Sequence, residues 1–128
     1  MSAISNYLEN KLIDATLRGI SYTSPATIYL ALFTTNPNED ATGTEVTGGS
    51  YARKAVTFGP ATDGSASNSA DVLFSIATAN WGTVTHIGIF DALTGGNMLY
   101  YGALSMSKTI QTNDQLKVNT GDITVTLA

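Results

Sequence analysis

The only histidine of the chain, His86, stands in "WGTVTHIGIFDALTGGNMLYYGAL", the stretch Trp81 to Leu104, together with the only tryptophan, Trp81. An imidazole that titrates near neutrality can serve as a general base or as a metal ligand. A base needs a nucleophile or an acid within reach. Neither a G-x-S-x-G elbow nor an H-E-x-x-H helix is present. A triad assembled from distant residues is recognised by geometry and not by order in the chain, so spacing alone leaves that arrangement open. A zinc site asks for more N or S ligands than one His and no Cys supply. In "TVTHIGIF" the alternation puts His86 on a strand, with Val84, Gly88 and Phe90 on its face. Packing or an interface contact is the role that fits it.

The remaining chemistry-bearing stretches are weaker still. "NPNEDATG" (Asn36 to Gly43) gathers oxygen ligands in the manner of a calcium loop, but Pro37 and Ala41 interrupt the alternation such a loop requires. It reads as a solvated loop. The glycine pairs in "TGGS" and "LTGG" lack the GK[ST] of a phosphate-binding loop and read as turns. No catalytic residue, cofactor or metal is expected. The aromatics carry more: Tyr100 and Tyr101 are neighbours, so on a strand they point to opposite faces. Tyr and Trp serve either a core or an intersubunit contact, where they are enriched.

The elements that must position these residues follow from periodicity. "SNYLENKLIDATLRGI" reads as one helix. Ser5 is its N-cap, Glu9 lies near the start, Arg18 sits in the last turn, and Gly19 occupies the left-handed position after it. Asp14 and Arg18 are four apart and can pair. Leu8, Leu12 and Ala15 line one side with Ile13 and Leu17 beside them, a face broad enough to cover a sheet or meet another subunit. After residue 20 the period becomes two. "TIYLALF" (Thr27 to Phe33) is apolar on both faces and reads as a central buried strand. "YARKAVTF", "DVLFSI", "TVTHIGIF", "NMLYYGAL" and two short segments of the tail are further strands. In "DVLFSI", Val72, Phe74 and Ile76 share a face. Ile123, Val125 and Leu127 alternate with polar residues in a half-buried strand near an edge. "DALTGG" is a hairpin loop. Thr34–Ser50 and "GPATDGSASNSA" are long polar loops, and loops of such length are often functional. The first is short of apolar residues to pin it and is expected to be mobile until a partner orders it.

This pattern predicts a mainly β protein, an antiparallel β-sandwich or jelly-roll-like domain with one N-terminal α-helix. Residues 1–128 form one domain, with the helix in 1–20 and the sandwich in 21–128. The chain has 128 residues, of which 43% are hydrophobic and only 12% charged, about half the usual charged fraction. Six Lys and Arg against ten Asp and Glu, with no basic run, argue against binding nucleic acid. No stretch reaches the length of a membrane span. The N-terminus "MSAISNYLENKLID" has no basic stretch followed by an apolar run, so assembly in a cytoplasm is expected.

The segments "YLENKLIDATLRG", "YLALFTTNP", "GTEVTGGSYARKAVTFG", "NSADVLF" and "WGTVTHIGIFDALTGGNMLYYGAL" together resemble a family of small bacteriophage virion proteins, head decoration (cement) proteins or short tail-fibre components. The resemblance implies a non-enzymatic structural protein of the virion and no catalytic residues. Capsid decoration is the preferred reading, with a tail-fibre or baseplate protein engaged in host attachment as the alternative. The implied partners are further copies of the chain, with a trimer as the expectation, and the major capsid protein or other virion proteins. Candidate interface residues are Leu8 and Leu12 on the helix, Glu39, Asp40 and Glu45 in the long loop, and Tyr100.

Overall fold

The computed structural model describes residues 3–127. It is mainly β, with antiparallel sheets and one helix near the N-terminus. A short strand β1 (Ala3–Ile4) leads into α1 (Asn6–Leu17), and eight strands follow: β2 (Ile28–Phe33), β3 (Lys54–Val56), β4 (Ser65–Ser67), β5 (Val72–Leu73), β6 (Gly82–Phe90), β7 (Met98–Ile110), β8 (Lys117–Val118) and β9 (Thr124–Thr126). Five strands make one sheet in the order β1-β7-β6-β2-β3. The second layer is two ribbons, β4–β9 and β5–β8, in place of the full second sheet of a jelly roll.

The helix obeys its local signals. Ser5 is extended and its hydroxyl accepts the Leu8 N–H at 3.2 Å. The same hydroxyl donates to the Met98 carbonyl, so the cap also pins the helix to β7. At the other end Gly19 takes φ +68°, which lets the Ile20 N–H return to the Asp14 carbonyl at 3.2 Å. Asp14 and Arg18 pair at 3.2 Å. The wide apolar face is only partly used within the chain: Leu8 is buried and Leu12 half-buried, while Ile13 and Leu17 are 53% and 79% exposed.

β2 lies between β3 and β6 and is buried on both faces, as its two-sided apolar pattern requires. Leu30 and Leu32 enter the large cluster with Phe74, Trp81, Val84 and Ile89, while Ala31 and Phe33 meet Phe90 and Met98 on the opposite face. The hairpin β6–β7 closes at Asp91: its backbone N–H reaches the Asn97 carbonyl and its carboxylate accepts the Asn97 N–H at 2.7 Å. Gly96 sits at φ +73°, and a Cβ there would come within 2.5 Å of Asp91 Oδ1. Among the described residues β9 pairs only with β4, and hydroxyl contacts such as Ser67 to Thr124 at 3.0 Å add to the ladder.

Several expectations fail in detail: β4 (Ser65–Ser67) forms inside "GPATDGSASNSA", expected as a loop. "YARKAVTF" and "DVLFSI" form strands only over Lys54–Val56 and Val72–Leu73. Val72 and Phe74 are buried but Ile76 is 53% exposed, so the alternation stops where the strand does. The larger departure concerns Val84, expected on the face of His86, Gly88 and Phe90. On β7 the four residues Leu104 to Ser107 oppose the single Thr85 of β6, a bulge that breaks the alternation. Val84 therefore faces the large cluster, while His86 lies across from Phe33 and Ala103 on the other face.

Candidate functional site

His86 is half-buried in mid-strand, and its Nδ1 meets the Thr85 hydroxyl at 2.8 Å. No group of three or more His, Cys, Asp or Glu among the described residues could hold a metal. Trp81 is a core residue: it stands edge-on to Tyr51 at 5.4 Å, and its Nε1 donates to the Gly49 carbonyl at 2.9 Å. The opening stretch is thus packing around a hairpin.

The polar centre of the molecule lies elsewhere. Arg53, 8% exposed, forks onto Glu45: Nε donates to Oε2 and Nη2 to Oε1, each at 2.9 Å. Its Nη1 donates to the carbonyls of Ala92 (2.9 Å) and Gly95 (2.8 Å) in the β6–β7 loop. The guanidinium lies 3.8 Å over the Phe90 ring, a cation–π contact. Tyr51 donates to Glu45 Oε2 at 2.6 Å and accepts the Leu32 N–H at 3.0 Å. Burial, then the bond to Glu45, push the Tyr51 phenol well above the ordinary tyrosine value. One buried cation therefore ties the long loop, β3 and the hairpin tip together. The sequence reading passed over Arg53. Its signal was an adjacent pair of cations, Arg53 and Lys54, inside an otherwise apolar strand segment of a chain with few charges.

The long loop Thr34–Ser50 is correspondingly pinned, contrary to expectation. Val46 joins the core and its N–H donates to the Leu32 carbonyl at 3.0 Å, while Pro37 is buried. The Gly43 position packs against the Asn36–Pro37 backbone, where a Cβ would meet Asn36 O at 2.6 Å. The Asn6 N–H donates to the Glu39 carbonyl at 3.0 Å, fixing the loop to the start of α1.

The candidate interface residues are scattered. Leu8 is buried within its own chain and Leu12 half-buried. Glu45 pairs with Arg53 of the same chain. Glu39 and Asp40 are exposed. Tyr101 is raised above its usual pKa by burial and then by the charges of Glu39, Glu9 and Asp40. Tyr100, whose pKa burial also raises, sits on the other face of β7, across from Ile89. There it borders a cleft of about 440 Å³ between β7 and the strands β8 and β9, floored by Ile87 and Ile89.

The fold and its polar centre define a β-structural protein whose buried charges hold loops in place and whose surface is polar and weakly charged. Residues 3–126 match the family described as Podophage GP4 fiber I protein gp80, and the chain belongs to that family, one of phage virion structural proteins. No curated protein matches the chain.

Proposed function

We propose that the chain is a subunit of a phage tail fibre that takes part in attachment to the host surface and acts by protein contacts without catalysis. The observation that carries this is the family match across residues 3–126, whose description is that of a fibre protein. That description supports the alternative reading of the sequence and lends nothing to capsid decoration. Its partners are further copies of itself and other virion proteins, and it joins the particle during assembly in the host cytoplasm. Residues 1–128 act as one domain; in support, β1 pairs with β7 and β4 with β9, so segments from both ends of the chain share ladders with its middle. Immunogold labelling of purified particles tests the assignment. Label confined to the tail is expected, and label spread over the head would refute it.

A further inference from the structure

The segment "GPATDGSASNSA" carries the chain's one Asp-Gly pair, Asp63 and Gly64, and the chain has no Asn-Gly pair. The two residues form the tip of a tight hairpin at the start of β4. The Thr62 N–H donates to the Ser65 carbonyl at 2.8 Å, and the Ser65 N–H donates to the Thr62 carbonyl at 3.0 Å. Both tip residues have positive φ, 53° at Asp63 and 76° at Gly64, a turn that Asp-Gly suits. Every other aspartate carboxylate of the chain is held by a hydrogen bond, as Asp14 is by Arg18 and Asp91 by Asn97. The Asp63 carboxylate has no such partner among the described residues, and the residue is exposed. The Gly64 N–H has none either, although the Gly64 carbonyl accepts the Leu127 N–H at 2.8 Å.

A free carboxyl followed by a free amide, with no Cβ on the second residue to obstruct the approach, is the arrangement that closes a ring. The amide nitrogen attacks the acid form of the side-chain carboxyl. The N–Cγ bond forms, and the carboxyl hydroxyl leaves with the amide proton as water, giving a five-membered succinimide. Water then opens the ring at either carbonyl. One opening restores aspartate. The other leaves isoaspartate, in which the main chain runs through Cγ, gains one methylene and carries its carboxylate on Cα. The water lost in the first step returns in the second, so no co-reactant is needed. Ring closure requires the turn to open, so that the Gly64 amide can swing toward the Asp63 side chain. That opening is local and cheap. Two reciprocal bonds hold the turn, the ribbon behind it is three residue pairs long, and Asp63 leaves a left-handed conformation that an L residue holds at some cost.

We propose that Asp63–Gly64 is a site of spontaneous isoaspartate formation, and that the conversion releases β9 from β4. A two-residue tip with an extra backbone atom cannot keep both Thr62–Ser65 bonds or hold the Gly64 carbonyl under the Leu127 N–H. Gly64 is also closely packed there, since a Cβ on it would lie 2.8 Å from the Leu127 oxygen. Among the described residues β9 has no strand partner but β4, and its Val125 packs against the large cluster, so the core loosens from this corner.

The chemistry needs only the purified full chain, so its failure leaves the fibre assignment standing. After prolonged warm incubation in mildly acidic buffer, electron-transfer mass spectrometry of the peptides should find isoaspartate at residue 63. It should exceed that at any other aspartate about tenfold, roughly what one hydrogen bond to each of those carboxylates is worth. Asp63→Glu keeps the charge but cannot close a five-membered ring, and should abolish the product. Asp63→Asn keeps a side chain suited to the turn and releases ammonia in place of water, and should form isoaspartate faster. The aged fraction, separated by chromatography, should exchange its Leu127 amide faster than the fresh chain. No isoaspartate at residue 63 where the urea-unfolded chain forms it would show that the turn protects the pair, and would overturn the proposal. So would isoaspartate spread evenly over the aspartates, an Asp63→Asn chain that stays intact, or an aged fraction with Leu127 still protected.

Discussion

Arg53 shows how one side chain can do the work of many in a chain with so few charges. A guanidinium that is 8% exposed survives burial because Glu45, two carbonyls and the Phe90 face all meet it. Removing it leaves Glu45 partly buried without a cation, so Arg53→Ala should cost about 3–5 kcal/mol in urea unfolding. Arg53→Lys should recover little of this, because an ammonium cannot span both carboxylate oxygens and the two loop carbonyls. A lysine variant as stable as the wild type would show that charge alone matters here. Tyr51 adds a pH dependence. Its folded-state pKa is raised, by burial first and then by Glu45. As pH climbs past about 10 the unfolded phenol ionises while the folded one does not. The stability it contributes is therefore intact below that pH and is lost progressively above it. Tyr51→Phe should lower stability at pH 7 by about 1–3 kcal/mol, since the Leu32 N–H loses its acceptor. It should also flatten the alkaline decline between neutral pH and the onset of unfolding. An unchanged slope would place that decline on Tyr22, Tyr100 and Tyr101, which are raised as well.

Among the elements, α1 and the β6–β7 hairpin depend on single residues at their ends. Ser5 is 2% exposed, caps the helix and donates to β7. Ser5→Ala should therefore exceed an ordinary cap loss and reach about 2 kcal/mol, the upper end for caps. Reading helix loss by circular dichroism alongside global unfolding separates a frayed helix from a weakened core. At the hairpin, Gly96 combines a positive φ with the close approach of Asp91 Oδ1. Gly96→Ala should cost about 1–3 kcal/mol through strain in the left-handed region and displacement of the Asp91 carboxylate. The Ala92 and Gly95 carbonyls that hold Arg53 belong to the same loop, so this variant and Arg53→Ala should be non-additive in a double-mutant cycle. Additive costs would mean that the loop and the cation act independently.

At the scale of the molecule, the ties between distant segments predict cooperative unfolding. Trp81 reports from the large cluster, against Tyr51 and Phe74. Its fluorescence and the far-ultraviolet circular dichroism should follow one transition with the same midpoint, the signature of a two-state domain. Two separated midpoints would divide the chain into independent units. The Thr34–Ser50 segment should behave as part of this unit. The Thr44 and Val46 amides, bonded to Thr35 Oγ1 and to the Leu32 carbonyl, should exchange slowly, while the exposed tip at Asn38–Ala41 exchanges fast.

The features legible in the chain alone were local ones. Ser5 and Gly19 bounded the helix, the two-sided apolar run 28–33 placed a central strand, and Asp91 to Asn97 closed a hairpin, because each rests on neighbours within a few positions. Tertiary structure decided the rest. The face of Val84 turned on a bulge that only the pairing of β6 with β7 creates, since a strand's alternation continues unless its partner interrupts it. The partner of Glu45 was Arg53, and the partners of Arg53 were carbonyls some forty positions away, 39 and 42 residues along the chain. A long polar loop looked mobile because its anchors, Val46 and Pro37, are apolar residues whose burial depends on what folds against them. Charges and polar groups in a low-dielectric interior choose partners by distance in space, and that distance does not exist until the chain has folded.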